Sequence, residues 1–345
     1  MVKALLLCSG AVRPKAFPVP HVRNVIILAQ EKLGDAILLT PLLYLLKTAA
    51  PTTTIHVVTF GKNREFYEAD PHVDRVFAVK PNIFAALREL RRNRYDVLIN
   101  TKDHPSFSFL ILTRLIKTDF RLGIFHPYHK GFFDHCITLD FHRHTVEKNC
   151  AFLTALKIPF NAAECRPRLP PVPASTAIRE FTARLHSIPS PQIGVNLSAG
   201  EFDREWPLEK WRELLIEFPH TQFAIFAMPD KKKAKTYLET TFSHCTATPE
   251  TTNIFDVAEL LKYLDLLITP DTSLIHVCSC LNVPVVALYR SHLNHRSHFS
   301  PFRIPHRMVV SSTMFVHDIP VTPVVAAVHE LLPNIPFMND KKYGQ

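Results

Sequence analysis

The chain has 345 residues, of which 47% are hydrophobic and 21% charged, a composition that excludes global disorder and suffices for two domains of ordinary size. Glycine is scarce, at 8 residues, which argues against a glycine-rich phosphate-binding loop. Residues 1–160 carry 22 Lys and Arg against 13 Asp and Glu, whereas residues 161–345 carry 18 of each. The positive excess of the first half indicates either an anionic partner or an unevenly charged solvated surface.

The chain shows no membrane-spanning or secretion signal. The longest apolar stretch, 36–46, is interrupted by Thr40 and Pro41 and is shorter than the roughly 20 residues of a membrane helix. The start, MVKALLLCSGA, has too short an apolar core for a signal peptide, so we interpret it as cytoplasmic sequence and a candidate strand. Seven unpatterned cysteines predict reduced thiols. These features favour a cytoplasmic protein.

The first half alternates apolar, β-branched runs with helical patterns. Such alternation predicts βαβ units and a parallel sheet with right-handed crossovers. The predicted strands cover 24–30, 55–60, 74–80 and 95–101. A turn followed by a helix is predicted for 31–49, and a second helix for 82–93.

A proline-rich stretch, ECRPRLPPVP (164–173), then interrupts the periodicity, and the same alternation restarts after it. We therefore expect an α/β domain at 1–165, a linker at 166–175 and a second α/β domain at 176–345, whose last helix is a candidate for packing back on the first. In such sheets ligands bind at the carboxyl ends of the strands. The predicted elements of the second domain are strands at 192–200, 221–229, 265–270 and 284–289 and helices at 206–218 and 257–264.

Asp35 is the first candidate for chemistry, because it follows a predicted strand and Gly34 and lies at the start of a helix. In that position a carboxylate can cap the helix and satisfy its unpaired amides. It can also act as a general base that takes a proton from an acceptor hydroxyl. Both interpretations stay open from the spacing alone.

Arg204 is displayed in a charged loop that follows the strand ending at Ser198-Ala199-Gly200, and Trp206-Pro207 then opens a helix. A guanidinium there suits a diphosphate, which it can hold with two parallel hydrogen bonds. The alternative is a surface arginine balanced by Asp203 and Glu205.

Residues 269–289 read TPDTSLIHVCSCLNVPVVALY, in which Asp271, Thr272 and Ser273 occupy the start of a short apolar helix. The unpaired amides of a helix start form an anion site without glycine. His276 lies about one and a half turns further along, and is either a packed histidine or a ligand of the same site.

Five histidines lie between 126 and 144 among basic residues. Their spacing matches no structural zinc site, so a cationic surface is favoured over a metal centre. No basic motif interleaved with aromatic residues indicates nucleic-acid binding. The five are His126, His129, His135, His142 and His144.

Three stretches, in this order, resemble glycosyltransferase family 9, the ADP-heptose:lipopolysaccharide heptosyltransferases, and the likeness runs from about residue 24 to 333. VIILAQEKLGDAILLTPLLYLLK (25–47) resembles the family's opening strand, LGD turn and helix. DREWPLEKWREL (203–214) resembles its Lys-x-Trp-Pro helix entry. PDTSLIHVCSCLNVPVVALY (270–289) is similar to its Asp-[Ser/Thr]-Gly-x-x-His signature, the most specific of the three.

The resemblance implies a GT-B fold, with two Rossmann-like α/β domains whose parallel sheets face a central cleft. The N-terminal domain would take the acceptor and the C-terminal domain the nucleotide sugar. It further implies metal-independent, inverting transfer of heptose from ADP-heptose to the lipopolysaccharide inner core, without a cofactor. The expected partners are the nucleotide sugar, an anionic lipid-linked oligosaccharide acceptor and, peripherally, the cytoplasmic face of the inner membrane.

Carried over by position, Asp35 would be the general base. Gly34, Lys102 and Arg121 are candidates for the acceptor side. The donor site would be formed by Ser198, Gly200, Arg204, Asp271, Thr272, Ser273 and His276.

Three positions depart from the family pattern. Ser273 replaces a glycine, which restricts the backbone unless φ is negative there. Arg204 replaces a lysine, and Arg290 stands where a glycine-containing loop is usual, either as a phosphate contact or as a sign of another donor. The alternatives are therefore a GT-B transferase for another nucleotide-activated sugar, or a non-catalytic binding protein on this scaffold.

Overall fold

The computed structural model describes residues 11–12, 14–15, 22–80, 82–185 and 192–333, except for the side chain of Leu185. The start of the chain, a candidate strand from its sequence, lies almost entirely outside these residues. The chain divides into two compact units, Met1–Pro171 and Val172–Gln345, here called unit 1 and unit 2. Residues 165–175, at the division, have no regular secondary structure.

Unit 1 is built on a six-stranded parallel sheet in the order β3-β2-β1-β4-β5-β6. Its described elements are β1 (Asn24–Leu28), α1 (Leu33–Ala49), β2 (Thr54–Thr59), α2 (Arg64–Glu68), β3 (Arg75–Ala78), α3 (Ile83–Leu90), β4 (Tyr95–Asn100), α4 (Phe107–Leu115), β5 (Thr118–Ile124), β6 (His135–Ile137) and α5 (Thr145–Ala155).

The central strands of unit 1 are apolar on both faces because helices cover the sheet on both sides. In β1, all residues after Asn24 are buried, and Ile27 pairs with Val57 of β2 and Ile99 of β4. The strand order reverses direction between β1 and β4. Ligands of such sheets bind at the carboxyl ends of these two strands, which we call the first switch point.

Unit 2 repeats this design, with the sheet order β12-β11-β10-β7-β8-β9 and all strands parallel. Its reversal lies between β7 and β10, the second switch point. Its described elements are α6 (Thr176–Leu185), β7 (Gln192–Asn196), α7 (Leu208–Glu217), β8 (Gln222–Phe226), α8 (Lys232–Thr241), β9 (Cys245–Thr246), α9 (Ile254–Leu261), β10 (Leu266–Pro270), α10 (Ser273–Leu281), β11 (Val285–Tyr289), α11 (Leu293–His298), β12 (His306–Val310) and α12 (Val321–Leu331).

Two tryptophans hold the loop between β7 and α7. Trp206 and Trp211 are both buried and meet edge to face, with ring centroids 4.6 Å apart. The Trp206 indole N–H donates to the Ile319 carbonyl at 2.9 Å, just ahead of α12. This packing fixes the backbone beside Arg204, which lies in a 3-10 turn at Phe202–Arg204.

The sequence-based prediction of an α/β chain with two parallel Rossmann-like sheets is confirmed. The central strands occur where the apolar runs placed them, although the strand predicted at 192–200 ends at Asn196. Edge elements such as β6, β9 and β12 were not predicted, because short or half-exposed strands lack a continuous apolar run. Within the described ranges, no helix is both long and apolar enough to cross a membrane.

Candidate active site

Asp35 lies at the first switch point, in the first turn of α1, and is half-buried. Its Oδ2 accepts the backbone N–H of Lys32 at 3.3 Å, which is a long helix-cap contact. Its Oδ1 has no hydrogen-bonding partner among the described residues. The capping role therefore uses one oxygen and leaves the other for a ligand.

The surroundings of Asp35 favour its protonated form more than water does. Burial raises the pKa of Asp35 above its ordinary value, while the charge of Lys102 opposes that rise. Tyr67 of α2 is fully buried, and its hydroxyl has no hydrogen-bonding partner in the part of the chain that the structure describes. Burial and then the charge of Asp35 raise the pKa of Tyr67, which shows that the two side chains interact. A carboxylate with a raised pKa is a stronger base.

Lys102 joins the two central strands of unit 1. Its Nζ donates to Gln30 Oε1 at 3.2 Å and lies 5.1 Å from the centroid of the Phe109 ring. The Gln30 side chain donates in turn to the Thr101 carbonyl at 3.2 Å. The ammonium is thus held at the first switch point, close enough to Asp35 to lower its pKa.

A buried ion pair orders the loop after β4. Lys148 of α5, whose side chain is 3% exposed, donates to Asp103 Oδ2 at 2.5 Å, and His104 Nδ1 lies 2.9 Å from Asp103 Oδ1. Although burial raises it, these two hydrogen bonds hold the pKa of Asp103 below its ordinary value. Asp103 therefore remains a carboxylate that fixes the loop beside Lys102.

The other two candidates for the acceptor side, Gly34 and Arg121, differ in their position relative to Asp35. Gly34 lies next to Asp35 in the first turn of α1. Arg121, in β5, donates from Nε to the Thr113 carbonyl at 3.0 Å and lies 3.7 Å from a carboxylate oxygen of buried Asp134. These contacts use Arg121 in packing β5 against α4 rather than in a group with Asp35 and Lys102.

The second switch point is organised by Asn196, the last residue of β7. Its buried amide donates to Thr269 Oγ1 at 2.9 Å and to Thr272 Oγ1 at 3.3 Å, and its Oδ1 accepts the N–H of Ser198. The Ser198 hydroxyl accepts the N–H of Met228 at 2.7 Å. The carboxyl ends of β7, β8 and β10 are thereby bound to one another through side chains.

Arg204 and Asp271, which were both predicted for the donor site, contact each other at this edge. Arg204 Nη1 donates to the Asp271 carbonyl at 3.0 Å and lies 3.4 Å from its carboxylate, and both side chains are buried. Glu201 Oε1 lies 2.9 Å from Arg204 Nη2 in an ion pair, whereas Glu205 pairs with Lys231. The alternative, a surface arginine balanced by Asp203 and Glu205, is wrong, since Arg204 is buried and contacts Glu201 and Asp271. Gly200 lies beside the same guanidinium. A Cβ added to Gly200 would lie 3.5 Å from Arg204 Nη2.

Arg290, directly after β11, extends this cluster. It contacts a carboxylate oxygen of Asp203 and lies 3.7 Å from Glu201 Oε2. Its Nη2 donates to His295 Nε2 at 3.1 Å, and His295 Nδ1 lies 2.9 Å from Asp271 Oδ2. Because guanidinium only donates, His295 carries its hydrogen on Nδ1 and donates it to Asp271.

The start of α10 completes the site. Thr272 is the N-cap, and its Oγ1 accepts the N–H of Leu274 at 3.4 Å. Ser273 is the first helical residue and is not among the described residues with positive φ, so serine in place of glycine imposes no strain there. His276 is buried, and its Nδ1 has no hydrogen-bonding partner within the described residues. Burial lowers the pKa of His276 to about 4, so its ring is neutral near pH 7.

No group of three or more His, Cys, Asp or Glu in the described ranges could hold a metal ion. His129, within the histidine-rich segment, is buried and its Nδ1 lies 2.8 Å from the Ile124 carbonyl. Cys278 of α10 is buried, and burial raises the pKa of its thiol.

A family model, glycosyltransferase family 9 (heptosyltransferase), matches residues 83–313, which is more than half of the chain. The chain belongs to this family. It is therefore a glycosyltransferase, and the resemblance inferred from three motifs is confirmed.

Individual relatives are distant. Lipopolysaccharide heptosyltransferase 3 of Escherichia coli is 23% identical over 339 residues, covering 87% of this chain and 97% of the relative. A solved family 9 glycosyltransferase of Veillonella parvula is 20% identical, with a TM-score of 0.69 over 90% of this chain and 97% of its own. The E. coli heptosyltransferase WaaC with ADP-2-deoxy-2-fluoro heptose is 17% identical, with a TM-score of 0.68 over 89% and 99%. At such identities the solved structures support the GT-B fold alone.

In this family 9 enzyme, three residues near the candidate site were missed by sequence reasoning. Tyr67 and His295 carry no local signal, since each reaches the site through contacts between distant segments. Glu201 was not predicted, because Asp203 and Glu205 are adjacent to Arg204 in sequence and Glu201 is three residues away. Arg290 departs from the family pattern, and that departure was its signal.

Proposed function

We propose that this enzyme transfers heptose from ADP-heptose to the inner core of a lipopolysaccharide or lipooligosaccharide by an inverting displacement, with Asp35 as general base. The observation that carries this mechanism is the half-buried carboxylate of Asp35, with a raised pKa and one oxygen unpartnered within the described residues, at the carboxyl edge of a Rossmann-like sheet. Its relatives' names and the ADP-sugar bound to one of them support the donor and the acceptor class.

In the proposed reaction, Asp35 takes the proton of an acceptor hydroxyl while that oxygen attacks the anomeric carbon of the donor sugar. The bond from this carbon to the diphosphate breaks, and ADP leaves with a growing negative charge. Arg204 and the amides at the start of α10, around Thr272 and Ser273, stabilise that charge. No metal ion is required for this role, because a guanidinium remains charged throughout.

We further propose that unit 1 meets its lipid-linked acceptor at a membrane surface. Large aromatic side chains, 39% to 62% exposed, follow the carboxyl ends of β4, β5 and β6 in unit 1. Exposed aromatic rings at this edge of the sheet suit the interface between water and lipid, and the positive excess of residues 1–160 suits an anionic leaflet. We call these residues the aromatic rim: Phe107, Phe125, Tyr128 and Phe141.

Replacing Asp35 with asparagine tests the mechanism. Asparagine Oδ1 can still accept the Lys32 N–H, so the helix cap survives while the base is removed. We expect kcat to fall by about 10²–10⁴ with ADP affinity nearly unchanged, measured by heptose transfer to deacylated inner-core acceptor and by calorimetry. Asp119→Asn, at a half-exposed carboxylate paired with Arg94, is the matched control and should retain the wild-type rate.

The outcomes separate the alternatives. Undiminished turnover by Asp35→Asn would show that Asp35 only caps α1. Transfer from UDP- or GDP-sugars in place of ADP-heptose would assign another donor to the same fold. Donor binding by the wild-type protein without transfer to any acceptor would indicate a non-catalytic binding protein.

A further inference from the structure

We propose that Arg290 is a second cation for the donor's diphosphate and that Glu201 and Asp203 occupy the two arginines until the phosphates displace them. We call this step the carboxylate exchange. It rests on the proposed function only in so far as the ligand carries a diphosphate, whichever nucleoside and sugar are attached.

Glu201 lies between the two guanidinium groups. Its Oε1 is 2.9 Å from Arg204 Nη2, and its Oε2 is 3.7 Å from Arg290 Nη2. A single carboxylate thus bridges two arginines with its two oxygens. A phosphate group presents oxygens of the same charge and similar spacing, and arginine binds both groups in the same fork geometry.

Both guanidinium groups keep unused donors. The side chains of Arg204 and Arg290 are only 10% and 11% exposed, yet the Nε of each lacks a hydrogen-bonding partner among the described residues. The Oδ1 of Asp203 is similarly unpartnered there. Buried polar atoms are nearly always paired in native proteins, and these unpaired atoms are available to hydrogen-bond a ligand.

Arg290 is anchored from one side. Its Nη2 donates to His295, and His295 donates to the carboxylate of Asp271, which also contacts Arg204. Asp271 directly precedes the N-cap of α10, so both arginines belong to the helix start that is proposed to hold the phosphates. The His295 contact positions Arg290 through Nη2, while Nη1 contacts the exchangeable carboxylate of Asp203 and Nε has no hydrogen-bonding partner among the described residues.

The net charge of these side chains favours replacement of carboxylates by the diphosphate over binding of the diphosphate in addition to them. Two arginines face three carboxylates, Glu201, Asp203 and Asp271, so these five side chains together carry a net negative charge. A diphosphate added to this arrangement would be repelled. Asp271 is 7% exposed and held by Arg204 and His295, whereas Glu201 and Asp203 are 45% and 27% exposed and can turn toward water.

The exchange predicts opposite effects for the two charges. Calorimetric titration of the full chain with ADP should show that Arg290→Gln weakens binding about tenfold or more, because a charge-assisted contact is lost. Glu201→Gln should tighten ADP binding by about three- to tenfold, because a competing carboxylate is removed. Adenosine, which lacks phosphate, should bind all variants with equal affinity.

The surface pair Arg307 and Glu330 supplies matched controls. Arg307→Gln and Glu330→Gln make the same charge changes on β12 and α12 and should leave ADP affinity unchanged. Equal ADP affinity of Arg290→Gln and wild type, or weaker binding by Glu201→Gln, would overturn the exchange. If Arg290→Gln unfolds, the sign of the Glu201→Gln effect still decides.

The proposed donor and the carboxylate exchange are tested by different outcomes. If UDP or GDP binds and ADP does not, the proposed donor is wrong. The same two variants must then alter affinity for that nucleoside diphosphate in the same directions, or the exchange is wrong as well.

Discussion

His276 illustrates at the scale of one residue how burial sets charge in this site. The ring is 3% exposed, and its centroid lies 6.2 Å from that of Phe299. Burial lowers the pKa of His276 to about 4, even though the charge of Asp271 acts to raise it. A neutral imidazole supplies a hydrogen bond and no positive charge, so the cations of the site are its arginines.

This pKa predicts acid sensitivity in unit 2. Between about pH 6.5 and pH 4 the unfolded chain binds a proton at His276 that the folded chain does not, so stability falls as the pH falls. From pH 7 to pH 5 the loss from this group is about 2 kcal/mol. His276→Gln should remove this loss, measured by urea unfolding at both pH values.

Tryptophan fluorescence suits that measurement, since both tryptophans of the chain, Trp206 and Trp211, lie in unit 2. His220→Gln, at an exposed histidine of the same unit, is the control and should keep the wild-type pH dependence. An unchanged slope in His276→Gln would show that another group causes the acid sensitivity.

At the scale of elements, β7 depends on a glycine in its centre. A Cβ on Gly194 would lie 2.4 Å from Leu264 Cδ1 and 3.0 Å from side-chain atoms of Leu267 and Phe226. The absence of a side chain lets α9 and its following turn pack closely on the strand that ends at Asn196. Close packing at this strand therefore supports the second switch point indirectly.

Gly194→Ala should accordingly destabilise unit 2 by about 1–3 kcal/mol through overpacking, measured by urea unfolding followed by tryptophan fluorescence. Gly200→Ala is the control for stability, because a Cβ there would meet Arg204 at an ordinary 3.5 Å. Equal unfolding midpoints for Gly194→Ala and wild type would mean that Leu264 moves aside at no cost.

At the scale of the whole molecule, charge and exposed aromatic surface are unevenly distributed. The positive excess belongs to residues 1–160, and the aromatic rim lies at the carboxyl edge of the same unit's sheet. The histidine-rich segment contributes to this surface, since the rings of His126 and Tyr128 stack with centroids 5.6 Å apart. The arrangement suits a surface that lies on an anionic membrane while the acceptor's sugar enters the first switch point.

We therefore expect the protein to co-sediment with vesicles of phosphatidylglycerol and phosphatidylethanolamine, and to do so less as salt rises. The double variant Phe125→Ser and Tyr128→Ser should lower the bound fraction several-fold, because each buried ring contributes on the order of 1–2 kcal/mol. Phe202→Ser, at a residue 75% exposed in unit 2, should bind as wild type does. Equal binding by all three proteins would exclude the aromatic rim as the contact.

The sequence by itself determined three things. It located the segments that form the central strands, it showed that the alternation of strands and helices occurs in two halves of the chain, and it indicated the family. Buried parallel strands such as β1 and β10 are continuous apolar runs, and the motifs around Asp35, Arg204 and Asp271 lie within single segments, so local reading suffices. Edge strands were not predictable in this way, because neighbouring strands and helices stabilise them.

Only the tertiary structure decided which charges meet. Arg204 pairs with Glu201 rather than with the acids adjacent to it in sequence, and Arg121 packs against Thr113 and Asp134 instead of joining Asp35. Such pairings join residues from different strands and loops, and their geometry depends on side-chain direction and burial. For that reason the spacing of residues along the chain does not predict these pairings. The contacts around Arg290 are visible only in the tertiary structure, where the fold brings distant segments together.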